Sequence, residues 1–234
     1  MPASDATTES EAKARTEPKA VRVLLVDDHA MVRQALAERL EREPGIAVVG
    51  SAADGDEALE LAREVEPDLI SMDIDMPGRL CFEVARALLD DRPDIRIVFV
   101  SAFFHDAYIE DALRVRAHGY VTKGQSLSQI VHALKEVAAG RTYFSDDVRD
   151  RLVIDSAGVR LGNSSTTRLG TLTQREREVL RYLARGLSKK DIAAMMNLSV
   201  KTIENHTANL MMKLKIHDRV ELARFAIREG LAEA

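Results

Sequence analysis

Short, almost unbroken apolar runs recur along the first 140 residues, separated by stretches in which apolar positions return every three or four residues. The runs at 21–26 (VRVLLV), 46–49, 68–72, 95–100 (IRIVFV) and 120–122 are too short for helices and read as strands buried on both faces. Between and after them, 29–43, 54–65, 82–90, 106–115 and 127–139 have helical spacing, with Met31, Leu36 and Leu40 marking the first. Pro44-Gly45 stops that first helix and Gly140 ends the last. Asp54, with Glu57 three residues on, has the capping pattern. Strands alternating with helices in this way predict an α/β unit: a five-stranded, doubly wound parallel sheet with helices on both faces.

The pattern changes after residue 140. Residues 141–169 end in SAGVRLGNSSTTRLG, the composition of a linker, with 148–154 a possible helical extension. From Leu172 onward the chain reads as short helices. Thr173 and Glu176 form a capping pair, and Val179, Leu180 and Leu183 give the helix an apolar face that Gly186 ends. Ser188 caps SKKDIAAMMN. After the tight turn Asn197-Leu198-Ser199, a third helix, VKTIENHTANLMMKL, puts Ile203, Thr207, Leu210 and Leu214 on one side, and Lys201, Glu204, Asn205 and Ala208 on the other. A last helix spans about 218–229. Two helices joined by three residues suggest helix-turn-helix DNA binding, although the pattern alone favours an ordinary helical hairpin. The reading is a second, smaller all-α domain at 170–234, after an α/β domain at 21–140 and a linker at 141–169.

Composition adds limits. The chain has 234 residues, 30% of them charged, and no apolar run near the roughly 20 residues of a membrane span. Residues 1–20 are polar, lack a signal-peptide core and are expected to be a disordered tail. One cysteine, Cys81, excludes an internal disulfide and a cysteine zinc site, and the six histidines lack metal spacing. The cytoplasm is the expected compartment. The formal charge of −5 is uneven: residues 1–140 hold 16 Lys and Arg against 26 Asp and Glu, whereas 170–234 hold 12 against 8. A basic second unit is compatible with nucleic acid.

Chemistry concentrates where the strands end. In an open parallel sheet, ligands sit beyond the carboxyl ends of the strands. Asp27 and Asp28 follow the first strand, Asp73 the third, Ser101 the fourth and Lys123 the fifth, so all should meet at one edge. Each has a plainer reading alone: the Asp pair as a helix cap, Lys123 as a solvated loop residue, Tyr120 as core. A nucleotide fingerprint is absent; Gly45 and Gly50 have a phosphate-loop spacing but no Lys-Ser/Thr after them. Clustered carboxylates with only oxygen donors favour Mg²⁺. Mg²⁺ with a lysine and a hydroxyl suits a phosphoryl group, and a carboxylate can itself be the nucleophile that forms an acyl phosphate.

The segments VLLVDDH, SMDIDMPG, VFVSAF and GYVTKG resemble, in order and spacing, the flavodoxin-like receiver domain of two-component response regulators, over about residues 20–140. That resemblance implies a phospho-acceptor at Asp73, loaded by a sensor histidine kinase. It implies Mg²⁺ held directly by Asp28 and Asp73, by Asp27 mainly through water, and by the backbone carbonyl of Asp75. Ser101 and Lys123 would contact phosphoryl oxygens, and Tyr120 would be a switch that rotates inward as Ser101 moves. LTQREREVLRYLARGLSKKDIA and LSVKTIENHTANLMMKLKI resemble the LuxR/FixJ-type DNA-binding domain, so the whole chain is similar to the NarL/FixJ response regulators. The implied function is phosphorylation-controlled transcription regulation on double-stranded DNA: the Tyr120/Ser101 switch alters the face of the fourth helix, fifth strand and fifth helix, and the chain dimerises on DNA on activation, with no membrane partner and no enzymatic turnover. Lys189, Lys190, Lys201 and Lys213 are candidates for DNA phosphates, with Thr202 as a hydroxyl donor; Asn205 could read adenine. His206 and Asn209 complete the expected surface. Glu204 could accept from a base, pair with Lys201 or repel phosphate.

Two residues depart from the family pattern. Cys81 and Arg116 stand where relatives usually have glycine, and each would be strained if its backbone were left-handed. Two further readings stay open. One is a receiver that is never phosphorylated and acts through protein contacts. The other is a free-standing Mg²⁺ phosphatase using Asp73 and Asp75. The unsolved detail is Asp75: its side chain is expected to stand free at the pocket mouth.

Overall fold

The computed structural model describes residues 20–102, 104–155, 158–162 and 168–232. The expected tail at 1–20 lies, but for Ala20, outside the described residues, as do parts of the linker.

The first unit runs β1 (Val21–Val26), α1 (Ala30–Leu40), β2 (Ile46–Ala52), α2 (Gly55–Val65), β3 (Leu69–Met72), α3 (Cys81–Asp91), β4 (Arg96–Ser101), α4 (Asp106–Arg114), β5 (Gly119–Thr122) and α5 (Leu127–Ala138). Successive residues of β1 point to opposite faces. Leu24 and Val26 join a core with Ile70, Met72, Phe82 and Ile109, under α2, α3 and α4. Val23 and Leu25 join Leu36, Leu40, Ile130 and Leu134, under α1 and α5. This is why the strands read as unbroken apolar runs.

The sheet has six strands, not the five expected, in the parallel order β2-β1-β3-β4-β5-β6. The added β6 (Tyr143–Phe144) pairs with β5, Gly119 opposite Tyr143. A Cβ at Gly119 would lie 2.7 Å from the Tyr143 carbonyl oxygen, so only glycine admits this neighbour. Two residues are too few for periodicity to reveal.

The linker is structured where described. α6 (Asp146–Arg149) is one turn, and β7 (Leu152–Asp155) pairs antiparallel with β8 (Gly158–Leu161). The expected helix over 148–154 is therefore wrong beyond its first turn: Val153 pairs with Arg160 instead. This hairpin packs against α4.

A 3₁₀ turn at Leu169–Thr171 leads into α7 (Gln174–Ala184), α8 (Lys189–Met195), α9 (Val200–Leu214) and α10 (Arg219–Arg228). Thr173, Ser188 and Ser199 cap as expected, Thr173 and Ser188 with full capping boxes. Asp54 caps α2, but Glu57 reaches back to the amide of Ala53 rather than closing the box. Val179, Leu180, Ile203 and Leu210 are fully buried. The core of this unit is continuous with the α2–α3–α4 core of the first.

The two departures separate cleanly. Cys81 opens α3 and has no left-handed backbone, so it carries no strain. Arg116 has φ +59°, the conformation that favours glycine.

Candidate functional site

Backbone hydrogen bonds carry the parallel ladders one step past the strand ends. The amide of Asp73 donates to the carbonyl of Val26 at 2.8 Å, and that of Lys123 to Ser101 at 2.7 Å. Asp27, Asp73, Ser101 and Lys123 are thereby set side by side along the carboxyl edge. Lys123 Nζ bridges the two acids, 2.7 Å from Asp27 Oδ2 and 2.8 Å from Asp73 Oδ2. The other oxygen of Asp73 accepts from the amide of Ile74 at 2.7 Å. Asp27 Oδ1 accepts from the amide of His29 at 2.8 Å.

Asp73 is 2% exposed. Burial raises its pKa to about 6, against the pull of Lys123. Burial works to lower the pKa of Lys123, but the carboxylates of Asp73 and Asp27 outweigh it and keep the ammonium charged. Ligand atoms of Asp27, Asp28, His29 and Asp73 lie within 4.8 Å of one another. Three converging carboxylates form a hard-oxygen donor set that could hold Mg²⁺. His29 was not among the sequence candidates; its Nδ1 lies 2.6 Å from Asp28 Oδ1. Its place directly after the acid pair was the available signal.

Ser101 and Tyr120 are fully buried, and the Tyr120 hydroxyl is hydrogen-bonded to Ser101. Burial holds that phenol protonated. The aromatic ring expected to rotate inward is thus already inside.

Asp75 is not free at the pocket mouth. Its Oδ1 lies 2.5 Å from Arg181 Nη2 on α7, and its Oδ2 lies 2.7 Å from Nη2 of Arg185, the residue that caps the carboxyl end of α7. These partners lie more than 100 residues away in sequence, and no local pattern announces them. They belong to a charged seam between the two units. Arg177 pairs with Asp111 of α4 and lies over the Tyr108 ring, 5.6 Å from its centroid. Arg175 lies 3.4 Å from Glu83 of α3. Beside them, Glu178 is 4% exposed, and burial raises its pKa to about 7 although Arg181 and Arg175 oppose it.

A raised carboxylate pKa favours the protonated folded state. That contribution is full below the ordinary value of 4.5 and is lost as pH rises through about 7. Glu178→Gln should therefore be more stable than wild type at pH 8, by up to about 3 kcal/mol, and less so at pH 5. Urea unfolding at both pH values checks this; parallel pH dependences would contradict it.

On α9 the expected inner set is correct: Ile203, Thr207, Leu210 and Leu214 are buried. Lys189, Lys190, Lys201, Asn205 and Asn209 are exposed, and Thr202, Glu204 and His206 are half-buried. Three members already have partners. Lys201 Nζ lies 3.3 Å from Glu204, Thr202 Oγ1 2.8 Å from Ser199 Oγ, and Lys213 Nζ 2.6 Å from Glu176 of α7. Lys213 is thus a brace between α9 and α7 rather than an unengaged cation. The face expected to respond to the switch is partly covered, since α4 carries the β7–β8 hairpin and the 3₁₀ turn against it.

Comparison with known proteins agrees with both units. Residues 23–135 match the response regulator receiver domain, and residues 170–226 the luxR family of bacterial regulatory proteins. The chain is 36% identical to the response regulator GacA of Pseudomonas viridiflava over 214 residues, covering 92% of this chain and 99% of that protein. It is 34% identical to the nitrate/nitrite response regulator protein NarL of Escherichia coli strain K12 over 210 residues, 89% and 96% of the two chains. The fold is shared with RcsB from Salmonella enterica serovar Typhimurium, solved bound to promoter rprA with phosphomimetic BeF3-. The TM-score is 0.64 and the identity 23%, over 88% of this chain and 98% of that one. The fused receiver and helix-turn-helix units, with relatives matched along nearly their whole length, place this chain in the NarL-type family of response regulators, which join a receiver domain to a LuxR-family DNA-binding domain.

Proposed function

We propose that the chain accepts a phosphoryl group on Asp73 from a sensor histidine kinase in the cytoplasm and thereby regulates transcription, binding double-stranded DNA as a homodimer. The receiver is assigned to 21–140 and the DNA-binding unit to 170–234, with 141–169 as connector. The observation that carries this reading is Lys123, fixed by the sheet between Asp27 and Asp73 in a chain that also holds a LuxR-family domain. The Asp73 carboxylate attacks the phosphorus of a phosphohistidine. A P–O bond forms as the P–N bond breaks, the electron pair leaves on the imidazole nitrogen, and that nitrogen is reprotonated from solvent. Lys123 pairs with one phosphoryl oxygen as it leaves the carboxylates, and the Ser101 hydroxyl donates to another. Asp27, Asp28, Asp73 and the carbonyl of Asp75 would hold Mg²⁺, which supplies charge neutralisation when bound. A phosphatase reading would need Asp75 as an acid–base, and two guanidinium groups already occupy its carboxylate.

Incubation with Mg²⁺ and acetyl phosphate, followed by borohydride reduction and peptide mass spectrometry, tests the reading. Conversion of Asp73 to homoserine is expected; conversion elsewhere, or nowhere, would refute it. On the DNA side, the exposed Lys190 should contact phosphate. Lys190→Ala should weaken binding to every duplex alike and reduce the slope of log K against log salt by about 0.9. An unchanged slope would remove Lys190 from the interface.

A further inference from the structure

The segment that follows the expected receiver reaches back to the turn that carries Lys123. On the reading that Asp73 is phosphorylated, we propose that Asp147 is a positioning residue for that reaction: its carboxylate clamps both flanks of the β5–α5 turn and so fixes the point from which Lys123 reaches the acceptor.

Lys123 leaves the sheet one residue after β5. Its amide donates to Ser101, and the turn closes when the amide of Gln125 donates to the carbonyl of Thr122 at 3.0 Å. Gly124, inside this turn, has open space where a side chain would sit, so packing does little to hold the turn there. Asp147 supplies the missing restraint. Its Oδ2 accepts from the Thr122 hydroxyl at 3.1 Å, and its Oδ1 accepts from Gln125 Nε2 at 3.3 Å. Each oxygen thus holds one side of Lys123.

Asp147 is itself well anchored. β6 pairs beside β5, and the amide of Ser145 donates to the carbonyl of Tyr120 at 3.0 Å. Val148, the next residue, is fully buried in the core, so α6 cannot turn without bringing an apolar side chain into water. Asp146, on the other side, pairs with exposed Arg149 at the surface. Asp147 is therefore the acid of α6 that the fold aims at the turn.

The consequence lies in the length of the lysine. A flexible four-carbon stem places its ammonium group accurately only when it starts from a fixed backbone. Lys123 has to meet two carboxylates at 2.7 and 2.8 Å, and then phosphoryl oxygens in the same place. The working receiver accordingly runs through α6 rather than ending at residue 140.

The experiment uses the full chain as wild type, Asp73→Asn, Asp147→Ala, Asp147→Asn, Thr122→Val, Lys123→Met and the Asp147→Ala/Lys123→Met double variant. Phosphoryl uptake from acetyl phosphate with Mg²⁺ is followed by intact mass, and thermal melting reports folding. Asp147→Ala is expected to load about threefold to tenfold more slowly than wild type, as for a charge left in place but poorly held. Thr122→Val should be slowed in the same direction by less, and it carries the test if Asp147→Ala folds poorly. Asp147→Asn should stay within about twofold of wild type, because the amide can accept from Gln125 and donate to the Thr122 hydroxyl. In the Lys123→Met background, Asp147→Ala should change the rate by less than about twofold, since both changes act through one group. Wild-type rates in Asp147→Ala and Thr122→Val, an Asn variant as slow as the Ala variant, or a double variant slowed by the full product of the two singles would each overturn the inference. The Asp73 reading fails separately, and takes this inference with it, if wild type takes up no phosphoryl group or Asp73→Asn still does.

Discussion

Lys123→Met should load phosphoryl groups about 10²–10³-fold more slowly than wild type, the loss typical when one preorganised charge is removed from a site where negative charge builds up. The geometry explains the size. Among the described residues, Lys123 is the one cation placed on both Asp27 and Asp73. Without it, two buried acids face each other, and burial, which already lifts Asp73 to about 6, meets no opposing charge from that side. The nucleophile is then both more often protonated and short of a partner for the incoming phosphoryl oxygens. Methionine keeps the length and volume of the side chain, so the backbone bond from Lys123 to Ser101 and the end of β5 should survive. Initial rates with acetyl phosphate across a range of Mg²⁺ concentrations measure the effect. Loading within threefold of wild type would mean that the ammonium group serves only the resting structure.

Asp111→Ala is expected to be the most damaging single change at the seam between the units, at about 3–5 kcal/mol of docking free energy. Asp111 receives Arg177 from α7, and its Oδ1 lies 2.7 Å from Arg114 of its own helix. Arg177 is 4% exposed. Removing the acid strands a buried guanidinium group, which costs far more than the pair contributes when intact. Replacing both partners, as Asp111→Leu with Arg177→Met, should recover much of the loss, because the desolvation cost disappears with the charges. Calorimetry and small-angle scattering check the pair. A single variant that melts within about 2 °C of wild type and scatters identically would contradict the assignment.

Most of the receiver could be read directly from the chain, because strands buried on both faces leave runs such as VRVLLV and IRIVFV, and the parallel ladder aligns their carboxyl ends. Asp27, Asp73, Ser101 and Lys123 were predictable for the same reason: each sits at the carboxyl end of a run. β6 was not, since two residues have no period and the permission for it lies in Gly119, a residue of the neighbouring strand. The hairpin inside the linker was missed because glycine, serine and arginine composition masks the alternation of Val153 and Val159. The partners of Asp75 were invisible for a deeper reason. Sequence reading sends arginines to solvent, and α7 buries Arg177 and Arg181 against acids that lie 66 residues or more away.

That choice of residues sets what water would meet were the two units to part. A helix that docks through leucines leaves an apolar patch in water each time it lets go, and such patches invite aggregation. The receiver-facing Arg175, Arg177 and Arg181 of α7, with Arg185 at its C-cap, hydrate readily, as do Asp75, Asp111 and Glu83 opposite them. The seam is partly apolar, since the cores of the two units are continuous, and this charged stripe is the share of it that water would solvate at low cost.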